Sequence, residues 1–242
     1  MPDHNSLTDK RILVTGGTTG IGRATVRLLG EAGARIVTFG RNRDALDEAI
    51  ETMVDATGLT ADIATREGVQ AVFDMVDSEL GGIDMLVACA ALGADPIDQM
   101  DDDAWRYVVE TNLIGTMACA RAALKRMEAA GGGHLLFVGS ISAELKAPGE
   151  SVYSATKAGL QAFAETLRKE VADRNIRVTV IQPGAVNTDM QEADDAEKRA
   201  AVESHEMLHA DEIAEAIVFA LTRGPQADVV TLRIEPRLQE MA

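Results

Sequence analysis

Short runs of apolar, mostly β-branched residues recur along the chain, and each is followed by a stretch whose apolar positions repeat at helical spacing. The runs are RILVT (11–15), ARIVTF (34–39), DMLVAC (84–89), HLLFVG (134–139), IRVTVIQ (176–182) and VVTLRI (229–234). They are apolar at nearly every position rather than at alternate ones, which predicts strands buried on both faces of a parallel sheet. A further short strand is expected just before Asp62. The stretches 21–32, 44–53, 66–80, 103–129, 152–174 and 211–222 are the predicted helices, several of them ending near a glycine. No repeat, low-complexity tract or Pro/Gly/Ser linker interrupts the alternation. The pattern predicts an α/β fold, doubly wound, with about seven parallel strands and helices on both faces, as one domain over residues 1–242.

In such sheets ligands bind beyond the carboxyl ends of the strands, so the residues after each strand carry the chemistry. The first turn, TGGTTGIG (15–22), follows a strand and opens a helix. Gly16, Gly20 and Gly22 stand where the backbone must turn tightly and approach a pyrophosphate, with Thr18, Thr19 and Ile21 beside them. A glycine-rich turn with no ligand is the alternative reading. The second turn, FGRNRD, has Gly40 where an NAD site often has an acid, followed by Arg41, Asn42 and Arg43. An arginine there can hold a 2'-phosphate, which favours NADP(H) over NAD(H), with Arg41 preferred to Arg43. Asp62, beside Ile63, either accepts a hydrogen bond from adenine or caps the next helix.

Composition narrows the partners. A chain of 242 residues, 46% hydrophobic, can bury one substantial core. Its net charge of -16 argues against nucleic acid and anionic membrane surfaces, so any anion site must be built locally from basic residues. No window reaches the roughly 18 apolar residues that span a bilayer, and the first residues lack an apolar signal core, so a cytoplasmic protein is expected. Cys89 and Cys119 lack metal or disulfide spacing and read as buried thiols.

The reacting groups follow the fifth run. Ser140 precedes Tyr153 by thirteen positions, and Lys157 lies one helical turn beyond the tyrosine on the same face. An adjacent ammonium is expected to stabilise the phenolate and lower its pKa, making a proton shuttle, while Ser140 can hydrogen-bond a reacting carbonyl. A competing signature, HEMLH (205–209), has the spacing by which two histidines on one helical turn share zinc. It is expected instead at a loop–helix junction with no metal, His209 lying outside the helix that begins near Asp211.

TGxxxGIG, S-x12-YxxxK and PGAVNT together resemble the short-chain dehydrogenase/reductase family over essentially the whole chain. The resemblance implies a Rossmann-fold oxidoreductase that transfers a hydride between NADP(H) and a small secondary alcohol or carbonyl, with a homodimer or homotetramer as the assembly. It implies Tyr153 as general acid/base, Lys157 as ribose ligand, Ser140 as substrate orienter and Asn112 as holder of a relay water. It also implies cofactor contacts at Ala88, Pro183, Gly184, Val186 and Thr188, and a substrate-covering loop over about 187–208. The chain departs from the family at Ala88-Cys89-Ala90-Ala91, where N-N-A-G is usual. That departure keeps open a dinucleotide-binding sensor or scaffold with little turnover. The C-terminal run resembles the branch of NADP-dependent 3-hydroxy acid dehydrogenases acting on serine and allo-threonine.

Overall fold

The computed structural model describes residues 7–191 and 193–239. Glu192, inside the expected covering loop, lies outside them. Seven strands, β1 (Arg11–Thr15), β2 (Arg35–Gly40), β3 (Ala56–Thr60), β4 (Met85–Ala88), β5 (Gly133–Val138), β6 (Ile176–Pro183) and β7 (Thr231–Ile234), form one sheet. Its order is β3-β2-β1-β4-β5-β6-β7, and every pairing is parallel. The order reverses between β1 and β4, which places a crevice at the carboxyl ends of those two strands.

Among the described residues the chain forms eight α-helices: α1 (Gly20–Glu31), α2 (Arg43–Glu51), α3 (Arg66–Met75), α4 (Asp102–Val109), α5 (Thr116–Ala130), α6 (Ser151–Val171), α7 (Asp195–Glu203) and α8 (Ala210–Leu221). Successive strand residues point to opposite faces, which explains why the central runs are apolar throughout. Leu13, Leu86, Leu135 and Phe137 join α3, α5 and α6 in one core layer. Ile12, Val14, Val87 and Leu136 join α1 and α8 in the other. Burying a side chain of this size contributes about 1.5–3 kcal/mol, so the two layers fix the strand ends from which the site is built.

The structure corrects the sequence reading at the edges of the sheet. VVTLRI is not buried on both faces: only Thr231–Ile234 form β7, and they alternate between exposed and half-buried because no strand lies beyond them. The expected helix 103–129 is continuous in direction but contains a wider π turn, Glu110–Gly115, between α4 and α5. The covering loop 187–208 contains α7, whose start is a capping box in which the Asp194 side chain accepts from Glu197 N and Glu197 returns a bond to Asp194 N. Among the described residues no helix is long and apolar enough to cross a membrane.

Candidate active site

A cavity of about 510 Å³ lies over the carboxyl ends of β1, β2 and β4 to β6. The β1–α1 turn forms its floor, with Gly16, Thr18, Thr19, Gly20, Ile21 and Gly22 all on the wall. Gly16 has φ +68°, and a Cβ there would stand 2.8 Å from Ala90 Cα, so this close passage of two backbones requires glycine. Thr188 stands over Gly20 on the opposite wall. Pro183, Gly184 and Val186 lie along the same side.

The far end of the cavity is built around Arg41 and Asp62. Gly40 keeps the passage beside Thr18 open, since a side chain there would collide with the Thr18 methyl group. Arg43 turns away to pair with Asp47 at 2.8 Å, whereas Arg41 faces the cavity. Tyr107, which the sequence reading did not single out, joins Arg41 to Asp62: Arg41 Nη1 donates to Tyr107 Oη at 3.0 Å, and Tyr107 Oη donates to Asp62 Oδ2 at 2.6 Å. Asp62 Oδ1 accepts from Ala64 N at 2.9 Å. Asp62 is therefore not the cap of α3; Thr65 is, accepting from Gly68 N. Asp62 and Ile63 both line the cavity.

Three expected cofactor or catalytic residues lie behind the wall instead. Asn42 is the N-cap of α2, its side chain accepting from Ala45 N at 3.1 Å. Ala88, the last residue of β4, is buried in the core. Asn112, in the π turn, accepts from Leu92 N at 2.7 Å and donates to Leu92 O at 2.8 Å. With Thr15 Oγ1 accepting from Ala90 N at 2.9 Å, it pins the backbone of the segment that lacks the family's asparagines. Cys89 borders the cavity, and burial pushes its thiol pKa up to about 12.

The reacting groups converge at the inner end. Lys157 is buried, with Nζ donating to Val138 O at 2.9 Å and lying 5.5 Å from the centre of the Tyr153 ring. Burial brings its pKa down to about 8. The Tyr153 pKa moves upward, against the sequence expectation. Burial drives the rise, the Glu150 charge adds to it, and a hydrogen bond with Ser140 opposes it. At neutral pH the phenol is therefore protonated and Lys157 is mainly an ammonium. Ser140 and Tyr153 also border a second cavity of about 430 Å³ that opens towards solvent. The charged side chains on its wall are Asp95 and Glu150, joined by the polar Ser142, Gln191 and Gln239 and by Met190 from the covering segment.

HEMLH is not one helical turn. His205 has φ +65° in a turn after α7, Leu208 bridges to Val186, and His209 is the N-cap of α8.

A family-wide profile described as short chain dehydrogenase matches residues 10–199. The chain belongs to the short-chain dehydrogenases. It is similar to an uncharacterized oxidoreductase of Staphylococcus aureus, 32% identical over 233 residues, covering 95% of this chain and 98% of that one. Carbonyl reductase family member 4 of Danio rerio is 37% identical over 181 residues, 74% of this chain and 76% of the relative. Among solved structures, L-sorbose reductase from Gluconobacter frateurii complexed with NADPH and L-sorbose superposes with a TM-score of 0.86 at 28% identity, covering 96% of this chain and 97% of that one. A short chain dehydrogenase from Burkholderia cenocepacia in complex with NADP gives 0.82 at 27% identity, covering 96% and 98%. The protein is thus an NAD(P)-dependent oxidoreductase of this family with a Rossmann-like sheet.

The residues present suit a dinucleotide on structural grounds of their own. The glycine floor leaves room for a pyrophosphate at the N-terminus of α1. Thr111 also borders the cavity, and its buried hydroxyl has no hydrogen-bond partner among the described residues.

Proposed function

We propose that this short-chain dehydrogenase reduces a neutral, hydroxylated carbonyl compound with NADPH, and oxidises the matching alcohol in reverse. The observation that carries the reading is that Ser140 and Tyr153 form the seam between the two cavities, one shaped for a dinucleotide and the other polar and open to solvent. When bound, the nicotinamide supplies or accepts the hydride. Tyr153 Oη donates its proton to the carbonyl oxygen, and Ser140 Oγ donates a hydrogen bond to the same atom. Lys157 holds positive charge beside the phenol as it loses its proton and binds the ribose hydroxyls. Asn112 acts through the Leu92 backbone, holding the wall in place. The segment 187–208 covers the substrate through Met190 and Gln191.

Arg41 supports NADP(H) over NAD(H), because its guanidinium faces the adenosine end and is held there by Tyr107 rather than by a carboxylate. The substrate cavity supports a neutral ligand. Among the described residues the charged side chains on its wall are the acids Asp95 and Glu150, which would repel a carboxylate. That disfavours the 3-hydroxy acid class which the C-terminus resembles. The NADPH-bound sugar reductase among the similar structures supports both assignments.

Both are tested by initial rates with NADPH and NADH. Polyhydroxylated ketones are expected to exceed size-matched oxo acids in kcat/KM by about 10-fold or more, a difference of ~1.4 kcal/mol. Preference for the oxo acids would overturn the substrate class. In Arg41→Ala the KM for NADPH is expected to rise about 10-fold or more while that for NADH changes little, as for loss of a charge-assisted contact. Equal losses for the two cofactors would remove Arg41 from phosphate binding.

A further inference from the structure

At the opposite edge of the sheet, beneath the amino ends of β1, β4, β5 and β6, lies a cavity of about 580 Å³ far along the fold from the reacting groups. In a chain carrying 39 acidic and 23 basic residues, its wall has an inverted balance. Arg168 from the end of α6, Arg177 from β6 and Arg223 after α8 line it, with Lys10 at the rim. Among the described residues none of these four forms an ion pair within 4 Å, although Arg11, Arg27 and Arg126 elsewhere all do. Arg177 and Arg223 are oriented by backbone carbonyls: Arg177 Nη1 donates to Arg223 O at 3.0 Å and Arg223 Nε to Phe219 O at 2.8 Å.

Arg168 makes no hydrogen bond among the described residues, and its Nε is buried without a partner. Arg168 thus lines the cavity with a guanidinium that no acceptor among the described residues neutralises. Two acids also border the cavity. Asp84 is already gripped by Arg11, with contacts of 2.7 and 3.1 Å, and Asp228 is exposed. His134 offers no donor to an anion. Thr179 commits its hydroxyl proton to Val229 O at 2.6 Å, so it accepts from His134 Nε2 at 2.9 Å, leaving Nδ1 as an acceptor with no partner. Burial and the charge of Arg177 hold this imidazole neutral, with a pKa of about 3.

We infer that this cavity is a second ligand site, built for a compact polyanion whose phosphate or carboxylate oxygens accept from Arg168, Arg177 and Arg223. Three planar guanidinium forks suit such oxygens in pairs, and the volume falls in the range of small-molecule sites, roughly 300–1,000 Å³. The inference does not depend on the proposed substrate. Its walls are the far ends of the elements that carry Ser140, Tyr153 and Lys157.

The test is thermal unfolding of the whole protein with saturating NADPH, titrated at constant ionic strength with pyrophosphate in one arm and citrate in the other. At least one anion is expected to raise Tm saturably by about 3 °C or more. The rise should vanish in Arg168→Ala/Arg177→Gln and persist in Arg41→Ala, which separates the site from the cofactor cavity. The stronger arm identifies phosphate or carboxylate as the preferred group. Should the double variant not fold, Arg168→Gln alone is expected to move the midpoint concentration at least about 10-fold, as for loss of one charge-assisted contact. No saturable rise with either anion, or an undiminished rise in the Arg168 variants, would overturn the inference.

Discussion

Tyr153→Phe is expected to lower kcat for carbonyl reduction about 10³-fold while leaving NADPH affinity within about threefold, because only the proton donor is removed. The ring remains packed on α6 with Lys157 beneath it, and Phe has the volume of Tyr less one hydroxyl. The size follows from the environment of the phenol. It is protonated at neutral pH, hydrogen-bonded by Ser140 and placed at the seam of the two cavities, so no nearby group replaces it. Steady-state rates together with a fluorescence titration of NADPH check the two halves separately. A variant retaining more than about a tenth of the wild-type rate would place the acid elsewhere, since general acid catalysis contributes about 10²–10⁴-fold.

Lys157→Met is expected to move activity and stability in opposite directions. Activity should fall about 10²-fold or more, because the ammonium that stabilises the phenolate formed as Tyr153 gives up its proton is lost. Stability of the cofactor-free protein at pH 7 should rise by roughly 1–2 kcal/mol, a few degrees in Tm. Burial holds the folded-state pKa near 8, below the ordinary lysine value of 10.5. The unfolded chain thus binds the extra proton between those values, and the folded protein carries the full penalty at every pH below 8. As pH rises from about 8 to 10.5 the wild type loses that penalty and the advantage of the variant shrinks. The loss of the Lys157 hydrogen bond to Val138 O takes back part of the gain, about 1 kcal/mol. Denaturant melts at pH 7 and 10 measure the difference. A variant less stable at pH 7, or an advantage that grows with pH, would contradict the assigned environment of Lys157.

The central strands were legible in the sequence because burial on both faces leaves an uninterrupted apolar run, as in β1, β4 and β5. The edges were less so. β7 gains its place from β6 and α8 rather than from its own pattern, and the π turn at Asn112 arises from tertiary bonds to Leu92 that no local spacing encodes. Ser140, Tyr153, Lys157 and the glycine turn were legible because their chemistry dictates their spacing. Asn42 caps α2 with its side chain, a role that a residue beside Arg41 can take as readily as facing the cavity. Tyr107 stands 45 positions from Asp62, so its contact with the carboxylate and with Arg41 emerges only once α4 packs over the cavity. The acidic DDAE run at 194–197 was an available signal for the start of α7. The upward shift of Tyr153 shows burial outweighing the hydrogen bond with Ser140, and burial also brings Lys157 down.

The central claim is that these residues carry out turnover and do not merely hold a dinucleotide. It is tested most directly by following the absorbance of NADPH with the purified protein, in the presence and absence of a polyhydroxylated ketone. The account predicts oxidation that requires the ketone, saturates with it and consumes one NADPH per alcohol formed. Saturable NADPH binding with no ketone-dependent oxidation across such a series would contradict it and leave a cofactor-binding sensor in its place.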